Sequence, residues 1–319
     1  MNLTTYDMEL VSDGCRERQY DFFILAPNIE KRSRAFLISS PKQKLVKQLI
    51  IADYANFHKK LDQEQESNYY DDFVGYNCNV IRAKNDGELL KGIKKANLCI
   101  GKKVGVDITG FSIPAIYSIM NMLKNVCGIN KIDVYYTEPQ LYVYEEGYFD
   151  SYHKNIKERL CAPIMGYVNN GRDQREILTI FLGFDGGLAD LVYYKLGEEG
   201  KEIIRTIAIN GFPSYTAKLK DVSLFNNEGL ISKLVREDLM TTTANNPFET
   251  YNLLCKIRED NKNVLLNLCT IGSKPMALGT CLFALDYKTD VKVTYPFYEK
   301  TNYDEKEQPG KTWRYGIDF

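Results

Sequence analysis

Val104-Gly105-Val106-Asp107-Ile108 is a short apolar run, Thr109-Gly110-Phe111-Ser112 a polar turn, and Ile113 to Asn125 a stretch with apolar residues at three- and four-residue spacing. The first reads as a buried strand and the last as an amphipathic helix. Ile132 to Tyr136 supplies a second strand. Strand, helix and strand within about thirty residues is the right-handed βαβ crossover of a parallel sheet.

The same order returns at Asn263 to Tyr298. Val264 to Cys269 reads as the strand, Thr270-Ile271-Gly272-Ser273-Lys274 as the turn, Pro275 to Tyr287 as the helix and Val291 to Tyr295 as the closing strand. Thr109 and Thr270 lie 161 positions apart, as do Ser112 and Ser273, and Pro114 and Pro275. One offset for three residues argues for an internal repeat. A repeat requires the strand at Phe22 to Leu25 to have a partner about 160 residues on, and Ile180 to Gly183 supplies it. Helix-like runs follow both, Glu30 to Ile38 and Gly187 to Leu196, and Gly87 to Ile100 and Pro247 to Arg258, the latter with Asn246 as N-cap, precede the later strands.

These observations predict an α/β fold of two tandem Rossmann-like units with mainly parallel sheets and a pseudo-twofold duplication. The expected halves are residues 1–160 and 161–319, the second carrying inserted loops at 211–243 and a C-terminal tail. Within the insertion, Phe225-Asn226-Asn227-Glu228-Gly229 reads as an ordered loop placed to cover a site. Trp313, Tyr315 and Phe319 in the tail are expected to dock back on the body.

Forty-one Lys and Arg against forty-two Asp and Glu give a net charge of −1, so no general field draws the protein to nucleic acid. Eight scattered cysteines with no C-x-x-C pair, and only two histidines, point to reduced thiols and neither metal nor cofactor. His58 and His153 lie in polar segments without a catalytic context. No apolar stretch approaches the roughly 18 residues of a membrane span, and the N-terminus lacks a signal-peptide order, so a cytoplasmic protein is expected.

In an open α/β sheet, ligands bind beyond the carboxyl ends of the strands, where helix N-termini offer unpaired N–H groups and a positive dipole end. Thr270, Gly272, Ser273 and Lys274 combine two hydroxyls, a flexible backbone and an ammonium at such a place, which suits phosphate. The plainer reading is that Thr270 and Ser273 only cap the helix. The first turn offers Thr109, Gly110, Phe111 and Ser112, with Phe111 and Asp107 placed to meet a sugar or base. Asp107 reads rather better as a buried strand-end carboxylate bonded to backbone. Glu30, Asp185 and Asp107 are the candidate acids or bases should a reaction be catalysed, against a reading of Glu30 and Asp185 as solvated loop charges.

Asn267-Leu268-Cys269-Thr270-Ile271-Gly272-Ser273-Lys274-Pro275-Met276-Ala277-Leu278 resembles the strand, Gly/Ser/Thr turn and helix of CARF-type domains, Rossmann-like sensors of cyclic oligonucleotides in prokaryotic antiviral systems. Two such units in one chain resemble the SAVED arrangement. The resemblance implies ligand contacts at Thr270, Gly272, Ser273 and Lys274. Ile271 stands where a glycine is common in that family, and the first turn has Ile113 where the second has lysine.

P-loop, G-x-G-x-x-G, G-x-S-x-G and H-E-x-x-H motifs are all missing from the sequence. The expectation is a nucleotide-binding sensor or regulatory subunit of an antiviral system, its ligand held at the strand ends between the halves, acting with a separate protein effector. Two alternatives stand beside it: an enzyme acting on a nucleotide or its glycosidic bond, and a structural partner subunit of a defence complex.

Overall fold

The structure is a computed structural model describing residues 7–11, 18–28, 30–39, 46–54, 72–83, 85–96, 98, 100–140, 160–169, 175–198, 203–212, 217–297 and 308–319. Both histidines, residues 59–71 and most of the expected connection at 148–175 lie outside the described residues. The chain divides into two compact units, Met1–Val143 with Asn302–Phe319, and Tyr144–Thr301.

The first unit contains β1 (Asp7–Val11), β2 (Tyr20–Leu25), a 3-10 turn (Lys31–Arg34) running into α1 (Ala35–Ser39), β3 (Val46–Tyr54), β4 (Cys78–Ala83) and α2 (Asp86–Lys95). It continues with β5 (Val104–Asp107), α3 (Ile113–Asn125) and β6 (Lys131–Pro139), and is completed by β13 (Pro309–Asp318). The sheet runs β1-β13-β6-β5-β2-β3-β4. The strands from β6 to β4 are mutually parallel, while β13 is antiparallel to β6 and β1 antiparallel to β13.

The second unit contains β7 (Leu160–Pro163), β8 (Glu176–Leu182), α4 (Gly186–Glu198), β9 (Ile203–Phe212), α5 (Ala217–Asn226) and α6 (Glu228–Ile231). A 3-10 turn (Arg236–Asp238), β10 (Leu239–Thr243), α7 (Pro247–Asp260), β11 (Leu265–Thr270), α8 (Lys274–Asp286) and β12 (Val291–Phe297) follow. Its order is β10-β9-β8-β11-β12-β7, parallel except for β7.

Counting the parallel strands of each unit in chain order, both sheets read third, second, first, fourth, fifth. Val106 on β5 and Leu266 on β11 hold the fourth place in their own sheets, which is the position the repeat demands. The central strands are mostly apolar and every residue of β5, β8 and β11 is buried, as in a sheet covered on both faces; the polar residues among them, such as Glu176 and Asn267, are paired internally. Helices α3 and α8 start alike, with Ser112 and Ser273 as N-caps at nearly identical backbone angles and proline in the first turn. Pro275 to Leu285 of α8 are all buried, so this helix is apolar on every side and packs inside the unit.

Two expectations are corrected. The tail assigned to the second half is strand β13 of the first sheet, with Trp313 opposite Tyr136 and Tyr315 opposite Val134. Segment 211–243 is not merely inserted loop: it holds the crossover helices and β10, the third strand, which pairs with β9 from Leu239 to Thr243. The run Glu30 to Ile38 is helical as expected, a 3-10 turn at Lys31–Arg34 leading straight into α1. Ser33 Oγ donates to the Glu30 carbonyl at 2.7 Å and accepts from Asn28 N–H at 2.9 Å, which closes the tight first turn.

Candidate functional site

In each sheet the order reverses between the first and fourth strands, β2 and β5 in one unit and β8 and β11 in the other. Beyond the carboxyl ends of such a pair, the chain leaves toward opposite faces, which is where open α/β sheets bind their ligands. The candidate residues lie on the turns that follow these four strands.

In the second unit, Thr270 ends β11 directly opposite Phe181. It is 1% exposed, and its hydroxyl lies 3.0 Å from that of Thr280. Thr280 already donates to the Ala277 carbonyl at 2.9 Å, so the proton between the two threonines comes from Thr270. Thr270 therefore ties strand to helix beneath the turn, not above it. Ser273 Oγ accepts from Met276 N–H at 3.3 Å and donates to the Ala244 carbonyl, joining the N-cap of α8 to the residue after β10. Lys274 is the first residue of the helix and is half-buried. Gly272 has to be glycine, because a Cβ there would stand 2.7 Å from the Leu182 carbonyl oxygen. The turns after β8 and β11 thus touch backbone to backbone, and the same holds at Gly183, where a Cβ would meet the Ile271 carbonyl at 2.3 Å.

Helices α5 and α6 close the turn after β8. Ser223 Oγ and Asn227 Nδ2 each donate to the Gly183 carbonyl at 2.9 Å, and Asn226 Nδ2 donates to the Phe184 carbonyl at 2.8 Å. The Asn226-Asn227 pair does cover a turn, by binding its carbonyls. Asp185 Oδ1 accepts from Leu188 N–H at 3.3 Å, so a carboxylate occupies the N-terminus of α4. An anion is unfavourable there, which leaves the N-terminus of α8 as the phosphate-compatible end in this unit.

In the first unit the turn is mostly interior. Thr109 Oγ1 accepts from Thr137 N–H at 2.8 Å, stitching the turn to β6, and Thr109 is fully buried. A Cβ on Gly110 would fall 1.5 Å from the Ala26 carbonyl oxygen. Phe111 is 1% exposed and belongs to the core, so it is not presented to a sugar or base. Ser112 is exposed and caps α3 through Ala115 N–H at 3.3 Å. Asp107 takes the backbone-bonded form, with Oδ1 accepting from Thr109 N–H at 2.9 Å in a buried Asx turn.

Glu30 is 3% exposed and paired with Arg32 at 3.0 Å, and Arg32 also donates to the Thr137 carbonyl at 3.3 Å. It is not the solvated loop charge its sequence context suggested. The structure adds Arg34, which donates to the Asn28 carbonyl at 3.0 Å and pairs with Asp72 at 2.6 Å. The run Lys31-Arg32-Ser33-Arg34 was the signal for these cations at the sheet edge. Glu30 and Asp107 lie in the first unit and Asp185 in the second. Beside the site, burial pushes the Cys269 thiol well above its ordinary pKa, which makes it a packing residue and not a nucleophile. Among the described residues no group of His, Cys, Asp and Glu is arranged to hold a metal ion, and no helix is long and apolar enough to cross a membrane.

No family model matches the chain, and no curated protein does. Among solved structures it is similar to the cytoplasmic domain of a prokaryotic cation chloride cotransporter, at 12% identity over 88% of this chain and 96% of that one, with a TM-score of 0.27. Nothing about function follows from a likeness of that size.

Proposed function

We propose that the chain is a nucleotide-binding sensor or regulatory protein whose ligand places a phosphate at the N-terminus of α8. The observation that carries this reading is the position of Lys274, half-buried as the first residue of a helix that starts at the strand-order reversal of the second sheet. There the ammonium and the positive end of the helix dipole favour the same anion. The contact set is narrower than the sequence alone implied: the Gly272 backbone and Lys274 belong to it, while Thr270 serves the packing below and the Ser273 hydroxyl serves the helix cap and the Ala244 carbonyl. The resemblance of Asn267–Leu278 to CARF-type turns supports a cyclic or linear oligonucleotide as ligand class, and with it a role in prokaryotic antiviral defence beside a protein effector. Calorimetric titration of the chain and its Lys274→Ala variant with a nucleotide panel tests the proposal.

A second reading is favoured by the first unit. With Thr109, Gly110 and Phe111 all committed to the interior, that turn is built as scaffold, as in a structural subunit of a defence complex. Retained assembly with a partner and no nucleotide binding by either form would support it.

A further inference from the structure

Arg314 on β13 is a buried and heavily engaged cation. Its side chain is 3% exposed and meets three carboxylates: Asp7, Glu9 at 2.9 Å and Asp133 at 2.6 Å. Asp7 and Glu9 belong to β1, Asp133 to β6, so the guanidinium joins three neighbouring strands. Arg18 adds a second cation, 3.3 Å from Glu9 and 3.7 Å from Asp133. Tyr20 donates to Asp133 at 2.7 Å and takes the proton of Tyr135 at 2.6 Å, so the β6 end of the network is fixed from inside.

The β1 end is held differently. No residue of β1 is fully buried, and Leu10 is 42% exposed. The strand adheres through its ladder to β13, with Glu9 opposite Arg314 and Asp7 opposite Gly316, through its two carboxylates, and through Val11, which packs against the hydrophobic core at the far end. Gly316 makes the place for Asp7: a Cβ there would stand 3.0 Å from Arg314 Nη1 and 3.1 Å from Asp7 Oδ2. In the second unit the antiparallel strand β7 lies directly against the fifth parallel strand, whereas in the first β13 takes that place and β1 sits one strand further out. The outer edge of β13 therefore carries a backbone ladder, a buried arginine and a glycine notch, all serving a strand that reaches the core only through Val11.

We infer that this edge is a strand-docking surface for an extended acidic segment of a partner protein, with carboxylates two residues apart, and that β1 is its removable occupant. Recognition is β-augmentation: main-chain hydrogen bonds give affinity and Arg314 reads the side-chain pattern.

Trp313, the sole tryptophan, lies opposite Leu10 and reports occupancy of the edge by fluorescence. The full chain carrying Asp7→Lys and Glu9→Lys, which sets its own strand against Arg314, is titrated with a synthetic peptide of residues 5–12. The Asp7→Asn and Glu9→Gln chain is tested in parallel, and carries the test alone should circular dichroism show the charge-reversed chain unfolded. The expected results are a shifted Trp313 emission in the variants, its return on adding peptide, and affinity at least tenfold above that of the unmodified chain and of a peptide with Asn and Gln in place of the two acids. Unchanged emission in the folded variants overturns the inference. So does binding of the acidic and amide peptides within twofold of each other.

Discussion

The Thr270 hydroxyl lies 3.0 Å from that of Thr280, joining the last residue of β11 to the middle of α8 inside the core. Thr270→Val keeps the shape and removes the donor, while Thr280 keeps its bond to the Ala277 carbonyl. The expected cost is about 0.5–1.5 kcal/mol of stability, the net worth of one hydrogen bond, with ligand affinity unchanged. Urea unfolding gives the first quantity and calorimetry the second. A loss of affinity without a loss of stability would put Thr270 back in the site.

Lys292 Nζ sits 3.0 and 3.1 Å from the two oxygens of Glu176, and Asn267 Nδ2 donates to the same carboxylate at 2.9 Å. Thr294 completes the group by donating to Asn267 Oδ1 at 2.7 Å. All four residues are buried. Lys292→Ala leaves the carboxylate without its cation and is expected to cost about 3–5 kcal/mol, whereas Lys292→Met with Glu176→Leu costs less, about 1–3 kcal/mol for the Asn267 amide that loses its acceptor. Denaturation of the single and double variants distinguishes a broken pair from a removed one.

Gly110→Ala puts a Cβ 1.5 Å from the Ala26 carbonyl oxygen, a backbone atom that cannot rotate away. Overpacking of this kind costs about 1–3 kcal/mol, and the turn must open from β2 to accept it. The expected signature is a lowered Tm together with faster amide exchange at Thr137, whose N–H is held by Thr109 in that turn.

Strands β2, β5, β8 and β11 were legible because each is an apolar run bounded by turn residues, and a fully buried strand has nothing else to be. The Ser-x-Pro starts of α3 and α8 were legible because capping is local chemistry. What escaped was set by distant partners. Strand β13 contains Lys311 and Arg314, and Arg314 is buried only because Asp7, Glu9 and Asp133 reach it from other strands. Strand β10 is short and Thr-rich at a sheet edge, with a weak pattern inside a long crossover. At the site, the sequence placed the turns but not the directions of their side chains. Phe111 and Thr270 stand where a ligand residue would stand in the sequence, and packing turns both inward.

Asp290 accepts two hydrogen bonds from Arg258, at 2.9 and 2.5 Å, and one from Thr289 at 2.9 Å. Burial by itself raises this carboxyl; the bonds from Arg258 and Thr289 outweigh it and hold the pKa below its ordinary value of 3.8. A lowered folded-state pKa contributes stability above the unfolded value, and that contribution is lost as pH falls through the folded one. Asp290→Asn is expected to flatten the acid limb of stability against pH below about 4, while the curve near neutrality keeps its shape. Urea midpoints collected from pH 2.5 to 7 check the sign.

Nucleotide titration of the unmodified chain against Lys274→Ala tests the central claim most directly. Removing a charge-assisted contact costs roughly 1.5–3 kcal/mol, so calorimetry with linear and cyclic nucleotides is expected to show a tenfold to hundredfold weaker Kd, with unchanged thermal melts. Binding undiminished in Lys274→Ala would contradict the account and leave the turn at Ser273 as a helix cap alone.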